Sequence, residues 1–100
     1  MTAFVAVLEV DLHFPETASL KGKRRELSSL KVQLQKRFGA ALAETDHHDL
    51  WQRAGLTVTL VGREAGLLRD RSAELERYVW SVFPDGAHVE CLLISTQDLH

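Results

Sequence analysis

The densest run of reactive side chains is AETDHHDLWQRAG, residues 43–55. Glu44, Asp46, His47, His48, Asp49, Trp51, Gln52 and Arg53 all fall within it. A metal site would draw on Asp46, His47, His48 and Asp49, with His13 approaching from the first strand. Adjacent histidines on a turn rarely both reach one ion. Helical zinc sites use i, i+4 spacing, and loop zinc sites usually bring cysteines. General acid–base chemistry would use Glu44, Asp46 or His47. No nucleophile, glycine-rich phosphate loop or oxyanion motif accompanies them. The segment therefore supplies no catalytic or metal-ligating assignment, and no cofactor is expected. A metal-dependent enzyme here is the weakest of the functional readings. A structural role fits the same residues: Asp46 and Asp49 cap a turn or short helix, Trp51 anchors it on the core, and Arg53 pairs with a carboxylate. A recognition edge, with Trp51 and the histidines meeting a partner, is compatible with that role.

The second concentration is cationic. Residues 20–38 hold seven of the twelve Lys and Arg (Lys21, Lys23, Arg24, Arg25, Lys31, Lys36, Arg37) and one acid, Glu26, a window of +6. The remaining residues sum to −8, for a formal net charge of −2. Such asymmetry points to a polyanionic partner. Lys and Arg along a helix bind phosphates, by point charge and by forked hydrogen bonds respectively. Lys21, Lys23, Arg24 and Arg25 crowd a first helical turn, where the helix dipole disfavours cations. A sequence shaped by helix stability alone would place acids there. The alternative is an ordinary solvated face.

These residues need elements to carry them. AFVAVLEVDLHF, residues 3–14, alternates with period two. Phe4, Ala6, Leu8, Val10 and Leu12 share one face; Val5, Val7, Glu9, Asp11 and His13 share the other, as in a half-buried strand ended by Pro15. Ser19 is a fitting N-cap for a helix whose stripe is Leu20, Leu27, Leu30, Leu34 and Phe38, with Gly39 as its C-cap glycine. Residues 40–45 are weakly strand-like. Residues 55–62 form a clear strand, with Leu56, Val58 and Leu60 opposite Thr57, Thr59 and Val61. The long, polar connection between these two strands is the 43–55 run. Residues 64–83 read as a second helix with the stripe Leu68, Leu75, Val79 and Val82, ended by Pro84 and Gly86. Tyr78, Trp80 and Phe83 read as packing residues, and the mixed charges Arg69–Arg77 as a solvated face. Residues 87–96 form a last strand, followed by a short tail over 96–100. The order β-α-β-β-α-β predicts residues 1–100 as one α+β unit: a ferredoxin-like sandwich, a four-stranded antiparallel sheet with both helices on one face.

That architecture leaves one sheet face uncovered. It would carry Val5, Val7, Glu9, Asp11, His13, Thr57, Thr59 and Val61. The paired aromatics that stack bases on the sheets of RRM proteins are missing from it. The Val5, Val7 and Val61 patch predicts self-association, or cover by the tail. The one cysteine, Cys91, stands in an apolar run and reads as a small core residue; a lone cysteine fits a reducing cytoplasm. MTAFVAVLEV lacks a basic leader region and is interrupted by Glu9 and Asp11, so no signal peptide is expected. No apolar run approaches the roughly 20 residues that span a bilayer. A cytoplasmic protein without membrane contact follows as the expectation.

Two stretches together resemble the YlxP-like family of small bacterial proteins, a domain family of unknown function. They are SLKGKRRELSSLKVQLQKRF and AETDHHDLWQRAGLTV. The matching positions are Ser19, Leu20, Lys21, Lys23 and Arg24, then Glu44, Asp46, Asp49, Leu50, Trp51, Gln52 and Arg53. Gly22 stands where that family usually has a longer polar residue. The resemblance covers nearly the whole chain and implies a ferredoxin-like fold with no established activity. Genes of that family often lie beside those for translation initiation and ribosome maturation, which implies an accessory role around ribosomal RNA.

The leading expectation is a non-enzymatic module that binds structured RNA or a ribosomal particle. Lys21, Lys23, Arg24, Arg25, Lys31 and Lys36 would contact phosphates, and the Asp46–Arg53 segment would shape the neighbouring edge. The alternative is a protein-binding or self-associating module, a homo-oligomer through the open sheet face.

Overall fold

The computed structural model of the protein describes residues 2–14 and 19–99. Its elements are β1 (Phe4–His13), α1 (Leu20–Phe38), β2 (Ala41–Asp46), β3 (Arg53–Gly62), α2 (Ala65–Val82) and β4 (Ala87–Ser95), then a 3-10 helix, Thr96–Leu99. The strands form one antiparallel sheet in the order β2-β3-β1-β4. Pro15, expected to end β1, and His100 lie outside the described residues.

Period-two alternation decides which sheet face is buried. In the β1–β3 register Ala6 opposes Leu60, Leu8 opposes Val58, Val10 opposes Leu56 and Leu12 opposes Ala54. All eight are buried in one core with Leu27, Leu30 and Leu34 of α1 and Leu68, Leu75 and Val79 of α2. Both helices therefore cover the same face, and the fold is the ferredoxin-like βαββαβ sandwich that the element order predicts.

The helix ends follow local chemistry. Ser19 is the N-cap of α1, and its Oγ accepts from the Gly22 amide at 3.2 Å. Such a cap satisfies one of the amides that a helix start leaves unpaired. Gly39 ends α1 in the left-handed conformation, φ 64°, and its amide donates to the Gln35 carbonyl at 3.0 Å. A side chain at that φ would be strained, and glycine is not. At this end the Arg37 guanidinium lies 4.5 Å from the Tyr78 ring centre, and that of Arg71 lies 5.4 Å from Phe38. These cation–π contacts tie the two helices together.

Several expectations are corrected. Leu20 and Val82 are exposed rather than part of the helix stripes. In α2 the position next to Leu68 on the core side is Ser72, whose buried Oγ is satisfied by donating to the Leu68 carbonyl at 2.9 Å. Trp80 is exposed, whereas Tyr78 and Phe83 pack against the core. Cys91 is exposed as well. It opposes Leu8 in register, but β4 is an edge strand. The described tail residues, 96–99, do not cover the open face. Thr96 donates its amide to the Ala3 carbonyl at 2.8 Å and accepts from the Ala3 amide at 3.0 Å, while Val61 and Leu92 remain 74% and 61% exposed.

Candidate functional site

The two motif segments meet at Lys23. On α1 this residue stands one turn before Leu27, on the stripe continued by Leu30 and Leu34, and so points inward. It is 2% exposed. Its Nζ donates to the carbonyl oxygens of His47 and Leu50, each at 2.7 Å. Those carbonyls belong to the connection between β2 and β3. An ammonium has three donors and suits such convergent carbonyls. Lys23 was expected among the phosphate-contacting cations; burial removes it from that set and makes it the fastener of the loop.

The loop is held at other points too. Asp46 Oδ1 accepts from the His47 amide at 2.8 Å, and the Leu50 amide donates to the His47 carbonyl at 3.2 Å. His47 takes a left-handed φ of 60°. At the far end the Phe14 amide donates to the Gln52 carbonyl at 2.8 Å. Between Glu44 and Asp46 the β2 register shifts by a bulge opposite Gly55. A Cβ on Gly55 would lie 2.8 Å from Asp46 Cβ, so only glycine lets β2 close here.

Arg53, the last motif residue, starts β3 and reaches across the sheet to β1. Its Nη2 donates to Asp11 Oδ2 at 2.6 Å. Both side chains are more than a third exposed, so this ion pair adds at most about 1 kcal/mol in salt. Asp46 instead faces His47, with Oδ2 3.5 Å from Nε2. His48 turns to Glu44, its Nε2 3.1 Å from the main-chain oxygen and 3.5 Å from Oε1. The adjacent histidines thus diverge to different partners. No group of three or more His, Cys, Asp or Glu is gathered as a metal site among the described residues.

What remains outward is specific. Asp49, Leu50, Trp51 and Gln52 are exposed. Trp51, expected as an anchor on the core, is 47% exposed, and Leu50 is 50% exposed. Lys23 performs the anchoring instead. On α1, Lys21, Arg24, Arg25 and Lys36 are exposed and Lys31 is half-buried. The first turn of α1 contains no acid.

The open sheet face divides into two ends. One is polar: Glu9 and Glu90 are paired in register, and the Thr57 hydroxyl lies 2.9 Å from Glu9 Oε2. The other is apolar, with Val5 opposite Val61 and Ile94, and Val7 opposite Leu92.

The sheet order and the helix-covered face define a ferredoxin-like α+β protein. The chain belongs to the family described as Protein of unknown function (DUF503), whose model matches residues 5–90 and so contains both motif segments. No curated protein matches the chain. Among solved structures it is similar to the de novo designed protein Foldit4, with TM-score 0.61 and 8% identity over 92% of this chain and 96% of that one. It is also similar to part of the VAO-type flavoprotein MtVAO713 from Myceliophthora thermophila C1, with TM-score 0.54 and 16% identity over 95% of this chain but 18% of that one. The 30S ribosomal protein S6 from Thermotoga maritima gives TM-score 0.48 and 13% identity over 94% and 89% of the two chains. The first two likenesses concern the fold alone. No helix among the described residues is long and apolar enough to cross a membrane.

Proposed function

We propose that this protein is a non-enzymatic accessory module of the bacterial cytoplasm that binds structured RNA or a ribosomal particle. Within its family we place it with the YlxP-like proteins, on the two motifs. The binding surface is the cationic face of α1: the exposed Lys21, Arg24, Arg25 and Lys36, with the half-buried Lys31. One observation carries the reading: a +6 segment in a chain whose remainder sums to −8. Its first turn accumulates cations where the helix dipole disfavours them, with no acid to offset them. Phosphates would relieve that repulsion and release counterions. The gene context that the YlxP-like resemblance implies points the same way. Sedimentation of a cell lysate, with the tagged protein followed across the gradient, tests the proposal. Salt-sensitive co-migration with a ribosomal subunit or its precursor is expected. Migration only at the top of a low-salt gradient contradicts it.

A second reading rests on the apolar end of the open sheet face. Val61 and Leu92 are 74% and 61% exposed beside Val5, Val7 and Ile94. A contiguous apolar area of this kind suits self-association or a protein partner.

A further inference from the structure

We infer that the β2–β3 loop presents Trp51 as a stacking platform for an unpaired base, so that the RNA engaged by α1 is single-stranded or bulged at that point. The inference rests on the RNA-binding reading and specifies its substrate class. Trp51 is bracketed by two fixed peptides: the Leu50 carbonyl is held by Lys23 Nζ at 2.7 Å, and the Gln52 carbonyl by the Phe14 amide at 2.8 Å. Its backbone is therefore pinned on both sides while the residue stands 47% exposed. The fastening of the loop is done by Lys23, which leaves the indole available. A pre-positioned, half-exposed indole loses little freedom on contact, which is what a stacking surface needs.

The charge setting selects the ligand. The residue that holds the loop is flanked in sequence by the exposed Arg24, with Lys21 and Arg25 two positions away on either side. Helix geometry puts their Cα atoms within about 6 Å of that of Lys23. Lys23 thus ties the cationic first turn of α1 to the loop that carries the exposed aromatic. Duplex RNA offers phosphates but no base face, because its bases are stacked. Unpaired segments offer both. The open face of β1 and β3 carries Val, Thr, Glu and Asp rather than the aromatics with which RRM sheets stack bases, so the loop offers the aromatic surface that the sheet lacks. Trp80, the other exposed tryptophan, lies on α2 outside both motif segments.

The test uses the full chain carrying Trp80→Phe, so that Trp51 alone reports. The probes are a labelled RNA hairpin with a fully paired stem and the same hairpin with an unpaired bulge. Tighter binding of the bulged probe is expected, by roughly tenfold to a hundredfold, with quenching of Trp51 fluorescence. Trp51→Ala abolishes the preference and leaves binding of the paired hairpin unchanged, and Trp51→Phe keeps most of it. Equal binding of both probes, insensitive to Trp51→Ala, overturns the inference and leaves the α1 reading standing. Absence of binding to either probe at low salt overturns both.

Discussion

The Nζ of Lys23 lies 2.7 Å from the carbonyl oxygen of His47, joining the first turn of α1 to a loop 24 residues further along the chain. The same ammonium holds Leu50. Through this lysine the two motif segments become one structure. It also splits the cationic helix into one buried cation that organises the loop and several exposed ones free to meet a ligand.

Lys23→Met removes both charge-assisted hydrogen bonds and leaves the Leu50 carbonyl near apolar surface. A loss of about 2 kcal/mol is expected, read as a lower urea midpoint at unchanged slope. Limited proteolysis should shift to residues 47–52 in the variant. A midpoint equal to wild type would show that the loop is held by its other hydrogen bonds.

Gly39→Ala tests the helix end. The added Cβ meets nothing within 4 Å, so the cost is conformational alone. Thermal unfolding should show a loss of about 1 kcal/mol, with Gly39→Asn intermediate because asparagine tolerates the left-handed region better.

The second reading makes its own prediction. If the apolar end of the sheet joins two copies, sedimentation equilibrium at high concentration shows a dimer for wild type and a monomer for the Val61→Asp, Leu92→Asp variant. Both positions are exposed, so the variant should remain folded by circular dichroism. A wild-type monomer removes the self-association reading.

Much of the fold was legible because the two periodicities are clean. The β1 alternation from Phe4 to Leu12 and the Ser19 and Gly39 caps sit where the structure has them. What failed depended on the third dimension. Cys91 read as core because its neighbours are apolar; its exposure follows from the placing of β4 at the sheet edge, which strand order alone reveals. Lys23 read as one of a cationic run. A signal was present, since it precedes Leu27 by four residues on the stripe of Leu30 and Leu34. What its ammonium reaches depends on the β2–β3 loop, which local pattern does not place. Trp51 was expected as the anchor for the same reason: the sequence offers an aromatic and a lysine for the task and does not say which is used.

The most direct test of the account is RNA affinity against salt for wild type and for the Arg24→Ala, Arg25→Ala variant, both shown by circular dichroism to be folded. Affinity should fall steeply as salt rises. The double variant should bind more weakly at low salt, with its log–log slope reduced by about 1.5 to 2, as expected for two lost phosphate contacts. Affinity independent of salt, or a variant that binds as wild type does, would contradict the assignment of this helix as the RNA-binding surface.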